Sequence, residues 1–243
     1  MTDAWTLLQR RRRASAGSPL VTFVDAARDE RTELSAVSLE NAAAKIANAL
    51  RAEFELEPGA LLGLHLPQHW QRAAWCAGAW TAGCVVVPDG PPAQMDLLVS
   101  SPERAESLAA EGRSPALAVV SMHPFGLPLS TDPPAGAVDV TLAVRQQPDA
   151  YLFEPPGPAD AALRIEGRVM TQEQALDAAA ELAARWGLVA GGRLLVGPDL
   201  DALDAWLACV AVPLVADASV VLLGDGPASD ALIERERVTA TAK

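Results

Sequence analysis

Segments that favour β-strands alternate with segments that favour α-helices along most of the 243-residue chain. The strand candidates are short and rich in valine and leucine, as in LVTFVD at 20–25 and ALLGLHL at 60–66. A near-continuous apolar run like the second one is typical of a strand that is buried on both faces. Repeated strand–helix units therefore predict an α/β fold, with layers of parallel or mixed sheet that are flanked by helices.

The order of the predicted elements follows from periodicity and capping residues. Strands are expected at residues 20–25, 31–36, 60–66, 84–88, 96–99, 116–121, 138–144, 150–153, 193–196 and 219–223, with a hairpin arm at 163–170. Helices are expected at residues 38–54, 70–82, 102–111, 171–187, 199–216 and 228–238. Ser38 is expected to cap the first of these helices, and Thr171 with Gln174 forms a predicted capping box.

One proline-rich stretch interrupts the alternation. The residues HPFGLPLSTDPPAG at 123–136 lack periodicity, which is typical of a surface connector. We expect a single domain over 1–243, in which this connector separates a lobe at 1–122 from a second lobe at 137–243.

The composition indicates which kinds of binding partner and which cellular compartment to expect. A net charge of −12 argues against nucleic acid and against an anionic membrane surface, because phosphates are repelled at long range. Four arginines at 10–13 can bind an anion or form a solvated helix face. The three cysteines lie in apolar runs, and the N-terminal charges follow the short apolar part, the reverse of a secretory signal. We expect reduced thiols and a cytoplasmic protein.

Few residues suggest chemistry on their own. His65 and His69 are separated by Pro67 and are expected to diverge, so we predict no metal site. The sequence also has no nucleophile-elbow serine and no dinucleotide-binding glycine motif. Trp70, Trp75 and Trp80 are either core residues or, in the alternative, anchors for a protein partner.

Two stretches of the chain resemble the N-terminal part of the acyl-adenylate-forming enzymes, the superfamily of acyl-CoA synthetases and nonribosomal adenylation domains. Residues 21–90 resemble its opening, and residues 167–223 resemble its helix–strand–helix–strand after the phosphate loop. The residue pairs that carry the first match are Pro58-Gly59, Leu66-Pro67, Ala82-Gly83 and Val87-Pro88. The chain also resembles a short actinobacterial group related to AMP-binding enzymes. The resemblance implies an N-terminal-domain fold of that superfamily.

The same resemblance implies a lost phosphate site. The superfamily's phosphate loop reads Ser/Thr-Ser-Gly-Thr-Thr-Gly-x-Pro-Lys-Gly, whereas the matching slot here reads EPPGPADAALRIEGR at 154–168. Aligning the last glycine with Gly167 places Glu166 where the lysine would be, and a carboxylate there repels a triphosphate. The residues of this vestigial slot that we singled out are Glu154, Gly157, Arg164, Glu166, Gly167 and Arg168. Arg164 and Arg168 are either solvated arginines without a ligand or residues that restore part of the anion binding.

Further elements of the superfamily are missing from the sequence. Residues 197–203, GPDLDAL, contain no aromatic residue or histidine for an acyl pocket, and the motifs for adenine, magnesium and ribose are absent. We expect no catalytic residues, no C-terminal catalytic domain and no cofactor, with ATP or AMP binding disfavoured. The predicted function is that of a non-catalytic relative acting by binding or protein interaction, with a protein partner or second copy covering a truncated face. The alternatives are a nucleotide-, acyl- or CoA-binding module, and one half of a two-chain adenylating enzyme.

Overall fold

A computed structural model describes residues 2–88, 90–111 and 116–243. The helices are α1 Ala4–Ser15, α2 Ala36–Ala52, α3 Trp70–Ala82, α4 Pro102–Ala110, α5 Thr141–Arg145, α6 Gln172–Arg185, α7 Ala202–Val215 and α8 Asp230–Arg235. The strands are β1 Pro19–Asp25, β2 Glu30–Ser35, β3 Leu61–His65, β4 Val85–Val87, β5 Leu97–Ser100, β6 Ala116–Val119, β7 Ala137–Asp139, β8 Ala161–Ile165, β9 Arg168–Thr171, β10 Arg193–Val196, β11 Ser219–Leu223 and β12 Ala240–Thr241. A short 3₁₀ helix lies at Pro92–Gln94.

The strands of the described residues form two mixed, mostly parallel sheets, which confirms the predicted α/β class. Sheet A has the order β12-β10-β11-β1-β2, and sheet B has the order β7-β6-β5-β3-β4-β8-β9. Only β2 in sheet A and β9 in sheet B run antiparallel to their neighbours, and both are edge strands. The largest group of buried side chains draws on both sheets and on the helices α1, α2, α3, α6 and α7.

The two sheets do not follow the predicted division into lobes at 1–122 and 137–243. Sheet A pairs β1 with β11, and sheet B pairs β4 with β8, so each sheet takes strands from both sides of the 123–136 connector. In each of these parallel pairs, one strand precedes the 123–136 connector in the sequence and the other follows it. The pairings therefore join the two predicted lobes into one structure.

Helix ends follow local capping chemistry, with one correction to the sequence prediction. The capping box at α6 is confirmed, since Thr171 Oγ1 accepts from the Gln174 backbone and Gln174 Oε1 accepts from the Thr171 backbone. The predicted cap Ser38 is wrong, because α2 begins at Ala36 and Ser35 is its N-cap. Ser35 has an extended backbone, and its Oγ accepts from the Ser38 backbone N–H at 3.3 Å.

The strands predicted at 138–144 and 150–153 are also wrong over most of their length. Only Ala137–Asp139 forms a strand, after which Asp139 accepts a hydrogen bond from the Thr141 backbone and α5 begins. Residues 150–153 pair with no strand. Instead, the buried side chain of Asn48 donates to Ala150 O at 2.9 Å and accepts from Leu152 N at 3.1 Å. One amide side chain thus satisfies the backbone groups that a neighbouring strand would otherwise bond.

Helix α3 lies in the centre of the molecule, and each of its residues is buried. Trp75 and Trp80 are 2% and 1% exposed and Trp70 is 9% exposed, so their interpretation as core residues is confirmed. The alternative, that one of them is an exposed anchor for a partner, is wrong.

Gly78 allows α2 and α3 to approach closely. A Cβ atom at this position would lie 2.6 Å from Ile46 Cβ and 3.1 Å from the Ala43 carbonyl oxygen. We expect Gly78→Ala to lower the free energy of unfolding by about 2 kcal/mol, because the two helices must separate. Urea unfolding measures this. Gly17→Ala is the matched control, because no heavy atom lies within 4 Å of its added Cβ. Equal stability of both variants would contradict the close approach.

No helix in the described ranges combines the length and the apolar character that a membrane crossing requires. In α1, two of the four arginines at 10–13 pair with acids of other elements, Arg11 with Asp217 and Arg12 with Glu40. These pairs fit a surface helix face better than a free anion site.

Candidate functional site

A tight hairpin lies where the sequence predicted the end of the vestigial phosphate slot. β8 and β9 pair antiparallel, with Ile165 opposite Arg168, so Glu166 and Gly167 alone connect them. Both have positive φ, 50° and 75°, as a two-residue type I′ turn requires. The predicted hairpin arm is thereby confirmed. A connection of two residues is too short to form a loop around a phosphate group.

The structure separates the six residues singled out in the slot. Glu154 and Gly157 precede β8, and the Gly157 backbone donates to Asp160 Oδ2 at 2.7 Å in a local turn. Glu166, Gly167 and Arg168 lie at the other end of the strand. With about 3.3 Å per residue, the length of β8 keeps the two groups far apart. Arg164 is half-buried within β8, so the six residues form no common site.

A cavity lies where strands of both sheets end. Its volume is about 640 Å³, within the usual range for small-molecule sites. Its wall is formed by the ends of β1, β3 and β11 and by the residues that follow β4, β5 and β10. In open α/β sheets, ligands bind in the crevice beyond the carboxyl ends of the strands. None of the six slot residues lines this cavity.

The wall of the cavity combines apolar residues with polar and charged ones, and one glutamine holds it in place. Its apolar members are Phe23, Leu64, Leu66, Pro67, Pro88, Met122, Pro198, Leu200, Trp206 and Leu223. Gln68, in the loop after β3, donates to Val196 O at 3.0 Å and to Leu223 O at 2.8 Å. These two hydrogen bonds tie β10 and β11 of sheet A to a loop of sheet B, and so they fix the position of the two sheets across the cavity.

Arg72 brings a positive charge to the cavity wall. It lies in the first turn of α3 and is 8% exposed. One guanidinium nitrogen, Nη2, donates to Ala205 O at 2.9 Å, and the guanidinium carbon lies 4.5 Å from the ring centre of Trp206. Nε is buried and has no hydrogen-bond partner in the described structure. Arg72 therefore stacks on an aromatic ring and retains donors that no described residue satisfies.

His69 is a neutral part of the same wall. Burial, with repulsion from Arg28, lowers the pKa of His69 to about 3. Its Nδ1 accepts from the Gln71 backbone at 3.2 Å and caps α3, so the proton lies on Nε2, which donates to Glu30 Oε1 at 3.2 Å. Burial, together with Asp25, raises the pKa of Glu30. The expectation that His65 and His69 diverge agrees with their places in β3 and at the cap of α3.

The acidic residues of the cavity are neutralised or peripheral. Asp25 accepts from the backbones of Ala27 and Arg28 and pairs with the Arg28 side chain at 3.7 Å. Glu103 and Asp225 are exposed at the rim. Three arginines also line the cavity, the buried Arg72 and the exposed Arg28 and Arg104.

Sequence reasoning passed over Arg72 and Gln68. A usable signal was present, because Arg72 is the single charged residue in the apolar helix sequence WQRAAWCAGAWTA. A charge in a fully buried helix needs a partner, and this requirement marks it as a candidate for function.

The fold of two mixed sheets flanked by helices matches that of the N-terminal domain of adenylate-forming acyl-CoA synthetases, as expected. An acyl-CoA synthetase of Brucella canis matches with a TM-score of 0.78 and 20% identity, over 98% of this chain and 46% of that one. The N-terminal domain of FACL13 from Mycobacterium tuberculosis matches with a TM-score of 0.70 and 18% identity, over 98% of this chain and 62% of that one. A benzoate CoA ligase of Burkholderia xenovorans matches with a TM-score of 0.72 and 19% identity, over 97% of this chain and 48% of that one. The chain spans about half the length of the Brucella and Burkholderia proteins.

A protein of Mycobacterium tuberculosis, described as a TIGR03089 family protein, is 39% identical over 211 residues, 82% of each chain. The chain therefore belongs to the TIGR03089 family. No protein-family model matches it.

Proposed function

We propose that this chain is a non-catalytic relative of the acyl-CoA synthetases, which binds a small ligand and forms no acyl-adenylate. The observation that carries the proposal is the two-residue turn Glu166–Gly167 between β8 and β9. A phosphate loop works through a run of backbone N–H groups, hydroxyls and a lysine around the phosphates. A two-residue turn has too few such donors to do so.

The charge at the turn supports the same conclusion. Glu166 stands at the position that the resemblance assigns to a lysine. Glu166 is exposed, so two like charges about 4 Å apart at this turn repel by about 1 kcal/mol, the value in water. Arg164 and Arg168 flank the turn, but Arg168 belongs to the exposed edge strand β9, where its charge is screened by solvent.

The cavity supports binding as the retained activity. It keeps a volume of about 640 Å³, a wall of apolar and polar residues and a buried charge, although it lies apart from the former phosphate slot. A cavity with a few polar groups in an apolar wall is the usual form of a small-molecule site.

The absence of adenylation is tested by ATP–pyrophosphate exchange. We expect the purified chain to show no exchange above a buffer control with a panel of aliphatic and aromatic carboxylic acids, because the turn at Glu166–Gly167 offers no lysine, hydroxyl or run of backbone donors for the transferring phosphate. A benzoate CoA ligase assayed with benzoate is the positive control. Exchange that depends on both ATP and one of the acids would overturn the proposal.

A second candidate is interaction with a protein, either a partner or the other half of a two-chain enzyme. Large apolar side chains between residues 125 and 153 are exposed, namely Phe125, Leu127, Val138, Leu142, Leu152 and Phe153. Size-exclusion chromatography with light scattering measures the mass of the chain in solution. A stable dimer or a co-purifying second protein would favour this candidate, and a monomer would disfavour it.

A further inference from the structure

Two buried cysteines face each other between helices α3 and α7. Cys76 and Cys209 are each 0% exposed, and both are free thiols. One helical turn before them, Arg72 Nη2 donates to Ala205 O at 2.9 Å and joins the same two helices. Each cysteine lies four residues further along its helix, so the helical repeat brings both to the same contact. The two thiols are hydrogen-bonded to each other there.

Cys209 has the surroundings of a reactive thiol. Its Sγ donates to Trp206 O at 3.0 Å and accepts hydrogen bonds from the Cys76 thiol and from Arg72. The bond from Cys76, followed by the charge of Arg72, lowers the pKa of Cys209, although burial acts in the opposite direction. Burial raises the pKa of Cys76. A thiol that is stabilised as a thiolate by a cation, with a second cysteine in contact, is typical of an attacking and a resolving cysteine.

We propose that Cys76 and Cys209 are a redox pair, which a peroxide converts into a reversible disulfide that links α3 to α7 beside the cavity. The two sulfurs are already in contact, so the bond requires only that they approach from hydrogen-bonding distance to about 2.05 Å. This inference goes beyond the proposed function, because it needs neither a bound ligand nor an adenylation step.

The reaction with hydrogen peroxide takes place in two steps. The Cys209 thiolate attacks one peroxide oxygen, so that an S–O bond forms and the O–O bond breaks, and the hydroxide that leaves takes up the proton of Cys209. The Cys76 sulfur then attacks Sγ of the Cys209 sulfenic acid. The S–S bond forms, the S–O bond breaks, and the hydroxide leaves as water with the proton of Cys76. Two thiols thus lose two electrons and two protons, and one peroxide is reduced to two waters.

The cavity provides the route for the oxidant. A buried thiol reacts only where an oxidant reaches it. Arg72, Ala205 and Trp206 all line the cavity, and Trp206 O is the acceptor of the Cys209 thiol. Cys209 therefore lies directly behind the cavity wall, and a molecule as small as hydrogen peroxide reaches it after a small movement of Trp206.

The other arginines of the cavity act differently from Arg72. Arg28 and Arg104 line the same cavity at exposed positions, where solvent screens their charges. Arg72 is 8% exposed and contacts the sulfur of Cys209 itself. We therefore expect Arg72 to control the reactivity of Cys209, with Arg104 available as a matched comparison.

Alkylation of free thiols after peroxide treatment tests the pair on the full chain. The folded protein is treated with hydrogen peroxide, cleared of peroxide with catalase and denatured in the alkylating agent, and the cysteines are located by peptide mass spectrometry. We expect Cys84 alone to be alkylated and a peptide pair to be linked through Cys209, with all three thiols restored by dithiothreitol. Burial raises the pKa of Cys84 to about 12, which makes it an internal control.

Two alanine variants assign the bond. Cys84→Ala should give the same cross-link and leave no thiol to alkylate. Cys76→Ala should give no cross-link and leave Cys209 as a sulfenic acid, which dimedone traps. Three free thiols in the treated, unchanged chain, or a disulfide that uses Cys84, would overturn the proposal.

Arg72→Met tests the role of the neighbouring charge. We expect it to slow cross-linking at least about tenfold, with Arg72→Lys between it and the unchanged chain, because the thiolate loses its cation. Arg104→Met is the matched control and should keep the original rate. Equal rates in Arg72→Met and Arg104→Met would remove Arg72 from the mechanism, and the thiol count on the unchanged chain tests the pair even where a variant does not fold.

The melting temperature shows whether the disulfide fits the folded structure. The bond closes a loop of about 130 residues, so the oxidised chain should melt at least about 5 °C above the reduced chain. A lower melting temperature after oxidation would show that the folded helices do not accommodate the bond, and would overturn the proposal. Pyrophosphate exchange is read separately on the reduced chain, so this proposal and the absence of adenylation can fail independently.

Discussion

Replacing Trp80 by alanine should lower the free energy of unfolding by about 4 kcal/mol, the largest loss of stability that we expect from one substitution. Trp80 is 1% exposed, and its indole Nε1 donates to Ala162 O in β8 at 2.7 Å. Its own carbonyl accepts from Gln172 at 3.2 Å, at the start of α6. One residue of α3 therefore holds both the hairpin strand and the helix that follows it.

Trp80→Phe tests the hydrogen bond separately from the packing. It keeps most of the ring but leaves Ala162 O, which is buried, without the indole donor, so we expect a loss of about 2 kcal/mol. The matched control is Trp186→Phe, whose indole donates to Lys243 O at an exposed position, and its cost should stay below about 0.5 kcal/mol. Urea unfolding measures all three variants. Equal costs for the two phenylalanine variants would refute the role of the Trp80 hydrogen bond.

His69 should make the protein sensitive to mild acid. Its pKa is about 3 in the folded protein and about 6.5 when unfolded, so between these values the unfolded chain binds a proton that the folded chain excludes. Stability therefore falls as the pH drops below about 6.5. From about pH 7 to about pH 4.5 the contribution of His69 amounts to about 2.5 kcal/mol.

His69→Asn isolates this contribution. Asparagine keeps a side-chain acceptor for the N-cap of α3 but has no proton to gain. We expect the variant to lose about 2.5 kcal/mol less than the unchanged chain over the same pH interval, as measured by urea unfolding. The raised pKa of Glu30 acts in the opposite direction, because its folded form takes up a proton more readily. His123→Asn, on an exposed loop, is the control and should keep the original profile. Parallel profiles for His69→Asn and the unchanged chain would contradict this assignment.

Local signals predicted the helices and strands well where chemistry within a few residues decides them. The capping box at Thr171 and the apolar helix Trp70–Ala82 agree with the structure, as do the strands at 193–196 and 219–223. The prediction failed at 150–153, where the backbone is satisfied by the side chain of Asn48 from a distant helix. No window of neighbouring residues contains that information.

The candidate site was predicted in part. The sequence predicted a changed phosphate slot and treated 154–168 as one site. The structure places Glu154 and Glu166 at opposite ends of β8. The cavity with Arg72 was not predicted, because its wall comes from ends of strands in two sheets that are far apart in sequence.

The amino-acid sequence by itself determined the alternating α/β elements, the hairpin at Glu166–Gly167 and the carboxylate in its turn. Each depends on residue type and near-neighbour spacing, which act before the chain is folded. Only the tertiary structure decided which strands share a sheet and which charge is buried. Parallel pairings such as β1 with β11 and β4 with β8, and the packing of α3 on α7, join distant segments. Arg72 becomes buried, with no ion pair among the described residues, only after those segments meet.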